Sequence, residues 1–207
     1  ILSKKLHLVF SPTLLTKELL IKKKVFSENK IFVLKDPIIE INKVIKLKKE
    51  VIHDLPDNIK YIISLGRLTK QKNFSFLIKS FYSIREHLKD IKLLIKKYKL
   101  EKHIILLKYK KNIFNYLDKA ILFVLTSEWE DPGFVIIEAA ICNKLILSSK
   151  VKNGPIEFIG NDNNGILFEK NNYEDFKKKF LYALNANENI LNKKKISAKI
   201  KAKKYTI

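Results

Sequence analysis

Glu130 and Glu138 are separated by seven residues in the stretch Ser127-Glu128-Trp129-Glu130-Asp131-Pro132-Gly133-Phe134-Val135-Ile136-Ile137-Glu138, which joins one apolar run to another. A carboxylate beside an apolar face is costly to bury unless a hydroxyl or a cation satisfies it, so Glu138 asks for such a partner. Gly133 lets a ligand come close to the backbone, and the free N–H groups of Phe134 and Val135 would face an anion or a sugar hydroxyl. Asp131 shares the turn. A plainer reading stays open, in which Glu130 and Asp131 only cap a helix and Glu138 is solvated.

A second group is cationic. Gly66-Arg67-Leu68-Thr69-Lys70-Gln71-Lys72-Asn73 follows an apolar run. Arg67 and Lys72, beside free backbone donors, suit a diphosphate better than a monovalent partner. A solvated basic loop explains them equally in a lysine-rich chain. The turn at Asn153-Gly154-Pro155 would present N–H groups across a cleft, or it is an ordinary strand-to-helix turn.

These groups need elements to hold them. Ala120 to Leu125 is short and aliphatic, as a fully buried parallel strand is, so the acidic turn falls at that strand's carboxyl end, where α/β sheets bind ligands. Pro132 would open the helix that follows. Tyr61 to Leu65 reads as a strand and Gly66 as a tight turn. Phe74 to Leu88 reads as an amphipathic helix with Phe74, Leu77, Ile78, Phe81, Ile84 and Leu88 on one side. Leu145 to Ser148 is a further strand, Gly154-Pro155 opens a short helix holding Glu157, and 161–165 turns into a strand over Ile166 to Phe168. Helices over Tyr173 to Leu184 and from about Glu188 to Tyr205 close the chain, the second basic enough to suit an acidic neighbour.

The remaining segments are less regular. Leu6 to Phe10 reads as a strand or turn, Pro12 to Lys24 as a helix with Ser11 as cap and Pro12 first, and Ile31 to Leu34 as a strand ended by Asp36-Pro37. Lys43 to Glu50 is a linker or surface helix. Ile91 to Ile95 reads as a parallel strand, yet too few residues precede Ile104 for a usual crossover, and Leu88, Ile91, Ile95 and Tyr98 also fit a helix. Ile104 to Leu107 is a strand, and Phe114 to Lys119 a short helix.

Composition bounds the function. A hydrophobic content of 46% over 207 residues supplies a real core. No apolar run reaches the length of a membrane span, and the start lacks a signal peptide's apolar segment, so a cytoplasmic place is expected. The chain has no Met and opens in mid-pattern, which suggests a fragment. Cys142 stands alone, which excludes an internal disulfide and points to inert packing. His7, His53, His87 and His103 match no metal spacing, and no metal site is expected. The net charge is +21, but of 42 basic residues only Arg67 and Arg85 are arginine. Nucleic-acid surfaces exploit arginine forks, so a lysine-loaded solvated surface is favoured over a nucleic-acid site. Attraction to anionic lipid or a phosphorylated substrate stays open.

Taken together, the motifs resemble the donor-binding half of a GT-B glycosyltransferase of the retaining family 4, or group 1, type. Gly66-Arg67-Leu68 with Lys72-Asn73 resembles that family's phosphate-binding loop, and Glu130 with Glu138 its paired glutamates. Ser149 to Glu157 and Asn164-Gly165-Ile166-Leu167-Phe168 resemble the segments that follow. The likeness covers about residues 60 to 185. Lys108 departs from it, standing where the family carries a glycine.

The resemblance implies an α/β fold, a Rossmann-like parallel sheet with helices on both faces. Residues 1–45 would be a remnant of the N-terminal acceptor domain with its linker, and 46–207 the donor domain. It implies that Arg67 and Lys72 hold a diphosphate, that Glu138 accepts from ribose hydroxyls, and that Glu130 with nearby amides fixes the sugar. The catalytic set is then Glu130, Arg67 and Lys72, and the substrate-binding set Gly66, Asp131, Gly133, Phe134, Val135, Glu138 and Gly154. No cofactor is implied. The partners are a nucleotide-diphospho-sugar, a uridine one, and a glycan or lipid-linked acceptor of bacterial surface-glycan assembly, with a peripheral contact at the inner face of an anionic membrane. The competing readings are a non-enzymatic basic module for nucleic acid or membrane, and an inactive fragment.

Overall fold

The computed structural model describes residues 5–56, 58–84, 91–95 and 104–207. Its centre is a six-stranded sheet built from β3 (Lys60–Ser64), β4 (Ile91–Ile95), β5 (Ile104–Leu106), β6 (Leu122–Leu125), β7 (Ile146–Ser149) and β8 (Ile166–Phe168). The order is β5-β4-β3-β6-β7-β8, and every neighbouring pair is parallel.

Successive side chains on these strands enter two different apolar clusters. Ile62, Leu122, Val124 and Leu147 pack with α3 (Phe74–Ile84) and α7 (Tyr173–Asn185) through Leu77, Phe81, Phe176 and Phe180. Ile63, Phe123, Leu125 and Ile146 pack on the other face with α2 (Ile41–Lys48), α4 (Phe114–Lys119), α5 (Phe134–Ile141), α6 (Gly154–Ile159) and α8 (Glu188–Ala202). Both faces of the sheet are therefore covered, which is why its strands read as unbroken apolar runs. Phe176 anchors one layer, with Phe168 edge-on at 5.0 Å and Phe180 at 5.4 Å between ring centroids.

Ahead of the sheet, β1 (Val9–Ser11), α1 (Leu14–Lys22) and β2 (Ile31–Val33) form a small parallel unit. The cap expected at Ser11 belongs instead to Thr13, whose hydroxyl accepts from the Thr16 N–H at 3.2 Å. Ser11 is still strand, and its hydroxyl donates to the Thr13 carbonyl at 2.9 Å, so Pro12 precedes the helix rather than opening it. The segment after β2 joins the main core through Ile39 and Val44, and the Tyr205 carbonyl accepts from the Ile38 and Ile39 amides at 3.0 and 3.1 Å.

At residues 91–95 the ambiguity resolves to a strand. Ile91 to Ile95 pairs with β3 on one side and, through its last three residues, with β5 on the other, which excludes a helix there. Leu88 and Tyr98, the end of the helix expected from Phe74, and the connection at 96–103 lie outside the described residues.

Candidate functional site

Strands β3 and β6 are parallel neighbours, with Ile62 opposite Leu122 and Ile63 opposite Phe123, so their carboxyl ends open side by side. The cationic loop leaves one and the acidic turn leaves the other. This juxtaposition is the geometric basis of the site.

The loop after β3 is shaped around Gly66. A Cβ there would lie 2.9 Å from Lys72 Cγ and 3.0 Å from Cδ, so the missing side chain gives the Lys72 stem its course. That course ends in an ion pair between the Lys72 ammonium and Oε1 of Glu130. Both side chains are withdrawn from water, at 12% and 4% exposure. The Ser127 hydroxyl donates to the same oxygen at 2.5 Å, and the Ser149 hydroxyl holds the Ser127 carbonyl at 2.7 Å. Two neighbours thus fix the carboxylate, with Ser149 bracing one of them, and two of the three lysine donors remain for another acceptor.

A second set of contacts ties three loops together. The Thr126 hydroxyl donates to the Lys72 carbonyl at 3.1 Å, and the Glu128 amide donates to the Gln71 carbonyl at 2.7 Å. Glu128 Oε1 accepts from Asn73 Nδ2 at 2.8 Å and Asn171 Nδ2 at 2.9 Å, while Lys170 lies 3.3 Å from its other oxygen. Asn73 adopts a left-handed conformation, φ 49°, between the one-turn 3-10 helix Lys70–Lys72 and α3. Ser127, Glu128, Ser149 and Asn171 were not among the residues singled out from the sequence. Glu128, Ser149 and Asn171 gave no spacing signal, because their partners are distant in the chain, and Ser127 bonds Glu130 within a single turn.

The turn itself ends at Gly133, not Pro132. Gly133 is the residue before α5 and sits at φ 82°, a left-handed conformation in which glycine is unstrained. Phe134 and Val135 follow as the first helical residues, and their amides have no hydrogen-bond partner among the described residues. Such an amino end carries partial positive charge and unpaired donors. Glu138 lies one turn further along α5, half-buried and without a hydrogen-bond partner among the described residues. Burial pushes its carboxyl above the usual carboxylate range.

The other expected residues fall as follows. Arg67 is exposed at the rim, with no partner among the described residues. Asp131 is exposed and meets only the Thr16 hydroxyl, at the long distance of 3.5 Å. Gly154 is buried beneath the turn, since a Cβ on it would come 1.5 Å from the Pro132 carbonyl oxygen. Its place is therefore a packing one, and Pro155, having no N–H, presents no donor. The same corner receives α1, where Glu157 Oε2 accepts from the Leu14 amide and the Thr13 hydroxyl meets Asn153 Oδ1, both at 3.0 Å. Cys142 is buried, which pushes its thiol up to about 12 and leaves it inert. Among the described residues no group of three His, Cys, Asp or Glu side chains could hold a metal ion.

Two larger hollows lie away from this junction. One is lined by Ile52, Leu55, Ile59 and Tyr61 at the amino end of β3, and the other by Lys150, Asp162, Glu169 and Lys179 beside β8. The first lies at the wrong end of the sheet, and in the second, at the carboxyl ends of β7 and β8, Lys150 and Lys179 are already paired with Glu169 and Asp162.

Comparison with known proteins agrees with this fold. The profile of the family described as glycosyl transferases group 1 matches residues 45–203. Over 135 residues the chain is 30% identical to the N-acetylgalactosamine-N,N'-diacetylbacillosaminyl-diphospho-undecaprenol 4-alpha-N-acetylgalactosaminyltransferase of Campylobacter jejuni, an alignment covering 60% of this chain and 37% of that one. Among solved structures, a glycosyltransferase from Rickettsia africae superposes with a TM-score of 0.76 at 19% identity, over 96% of this chain and 59% of the other. Anabaena HepE, solved with UDP and glucose, superposes with a TM-score of 0.77 at 16% identity, over 97% and 59%. The chain thus spans little more than a third of the Campylobacter relative and under two thirds of these structures.

Proposed function

The chain belongs to the group 1 glycosyl transferases and carries the parallel α/β sheet of their GT-B structures, and on that premise we propose that it is the donor-binding part of a retaining glycosyltransferase. Its donor is a nucleotide-diphospho-sugar, a uridine one, and its acceptor a glycan or lipid-linked glycan. Residues 1–45 are the end of the acceptor-side domain, and 46–207 the donor domain. The acceptor class draws on the Campylobacter relative, whose name places its acceptor on diphospho-undecaprenol.

One observation carries the reading. The cations after β3 and the unpaired amides that open α5 stand at adjacent strand ends, with the partnerless Glu138 on the same helix. In transfer, the bond between the anomeric carbon and the diphosphate oxygen breaks, and charge grows on the leaving oxygens. Arg67, Lys72 and the amides of Phe134 and Val135 stabilise that charge. Glu138 accepts from the ribose hydroxyls, and Glu130 offers its second oxygen to a sugar hydroxyl while its first holds Lys72 in place. The acceptor hydroxyl oxygen then bonds to the anomeric carbon on the face the diphosphate leaves, its proton passing to the departing diphosphate oxygen, so configuration is retained. With two cations on the diphosphate, the reading needs no resident metal or cofactor.

The test is transfer by the whole protein from a panel of uridine and guanosine diphospho-sugars to lipid-linked glycan, with the product anomer read by NMR. Transfer from one uridine donor with its anomeric configuration kept is the expected result. An inverted product, or equal use of guanosine donors, overturns the corresponding part.

A further inference from the structure

We propose that the outward face of α8 and the turn after it is a docking surface for an anionic lipid bilayer, independent of the sugar-transfer reading. From Asn189 to Ile207 the sequence holds seven lysines and no Asp or Glu. The structure sorts six of them into two groups, with the half-buried Lys195 in neither. Lys194 donates to the Asp162 carbonyl, and Lys201 donates to the Glu157 carbonyl at 2.7 Å, both anchoring the helix to the domain. Lys193, Lys199, Lys203 and Lys204 are exposed, with no partner among the described residues.

The apolar residues of α8 are sorted in the opposite sense to an ordinary surface helix. Its buried residues are the small Ala198 and Ala202, facing α5 and α6. Its isoleucines point away: Ile190, Ile196 and Ile200 are 48%, 54% and 61% exposed. Spacings of three and four residues bring Lys193, Ile196, Lys199, Ile200 and Lys203 onto one stripe. Packing within the domain accounts for the alanines and leaves the isoleucines without a purpose.

A bilayer surface supplies one. A helix lying in the interface sinks branched aliphatic side chains to the boundary of headgroups and acyl chains, while lysines at its flanks reach the lipid phosphates. Beyond Glu188 at its start, the 15-residue helix, about 22 Å long, carries charge complementary to an anionic leaflet. Nucleic acid would use the lysines and leave the isoleucines against water, so the composition of the stripe favours lipid.

The experiment is flotation of the full chain with phosphatidylcholine vesicles, with and without about one third phosphatidylglycerol. The chain is expected to float with the anionic vesicles only. The variant Lys193→Gln/Lys199→Gln/Lys203→Gln weakens that binding about a hundredfold, and Ile196→Ala/Ile200→Ala at least about tenfold. These side chains are exposed, so circular dichroism and the urea midpoint stay as in the parent. The charge-matched variant Lys79→Gln/Lys119→Gln/Lys178→Gln, exposed lysines elsewhere, floats as the parent does. Equal loss in that control, or no effect of the isoleucine pair, overturns the proposal in favour of a diffuse polycation. So does DNA binding sensitive to the α8 lysines in a chain that ignores vesicles.

Discussion

Lys72 and Glu130, 58 positions apart in sequence, form a buried ion pair that ties the loop after β3 to the turn after β6. Each strand end brings one partner, so the pair exists only because the two strands are adjacent. A lysine placed this way is a fixed cation rather than a wandering one, which is what a diphosphate site requires.

Lys72→Met leaves the Glu130 carboxylate buried with only Ser127 beside it. The expected cost is about 3–5 kcal/mol in urea unfolding. Adding Glu130→Gln recovers most of that, since the uncompensated charge is gone, while nucleotide binding stays lost in both. A single variant as stable as the parent would show that the pair contributes nothing to the fold.

Glu128→Ala releases Asn73, Asn171 and Lys170 together, at about 1–3 kcal/mol. Amide exchange should rise at 69–73 and 170–172 but not in the sheet. Nucleotide affinity should fall about tenfold through misplacement of Lys72, given the sensitivity of such sites to small displacements.

Two glycines separate crowding from backbone strain. Gly154→Ala drives a methyl into the Pro132 carbonyl and is expected to cost about 3 kcal/mol and to disturb the turn. Gly160→Ala meets no atom within 4 Å but sits at φ 64°, so only about 1–2 kcal/mol is lost and nucleotide binding is unchanged.

Glu138 gives opposite pH slopes for stability and binding. Its carboxyl is raised in the folded chain, so the native state holds the proton more tightly than the unfolded one. Its contribution to stability is therefore greatest at low pH and falls as pH rises from the ordinary carboxylate range through the raised native value. Ribose hydroxyls need the ionised form, so nucleotide affinity rises over the same window. Urea midpoints and nucleotide titrations from about pH 4 to about pH 7 check both, and Glu138→Gln should flatten both slopes.

The parts legible in the sequence were those whose signal is local. The unbroken aliphatic runs marked β3, β6 and β7, and the helix over Phe114 to Lys119 came out at its observed bounds. The strand β6, the turn after it and the helix α5 were legible because one short segment carries all three signals. Reading failed where the deciding contact is distant or the local rule has a competitor. Ser11 is a good cap by type, but strand pairing claims it, and Thr13 caps the helix instead. At Ile91 to Ile95 the sequence offers both a strand and a helical period, and hydrogen bonds from strands on both sides decide for the strand. At Gly154 the sequence shows a turn before a helix, and only the approach of the Pro132 carbonyl reveals how little room a side chain would have there. The hub at Glu128 joins residues from three loops, and no spacing along one segment announces it.

The most direct measurement is calorimetric titration of the chain with UDP and GDP at low and high salt, beside Arg67→Ala and Glu138→Ala. The account predicts saturable UDP binding that persists at high salt, is weaker for GDP, and is lost in both variants. Weak binding of both nucleotides that vanishes with salt and ignores the variants would contradict the donor site.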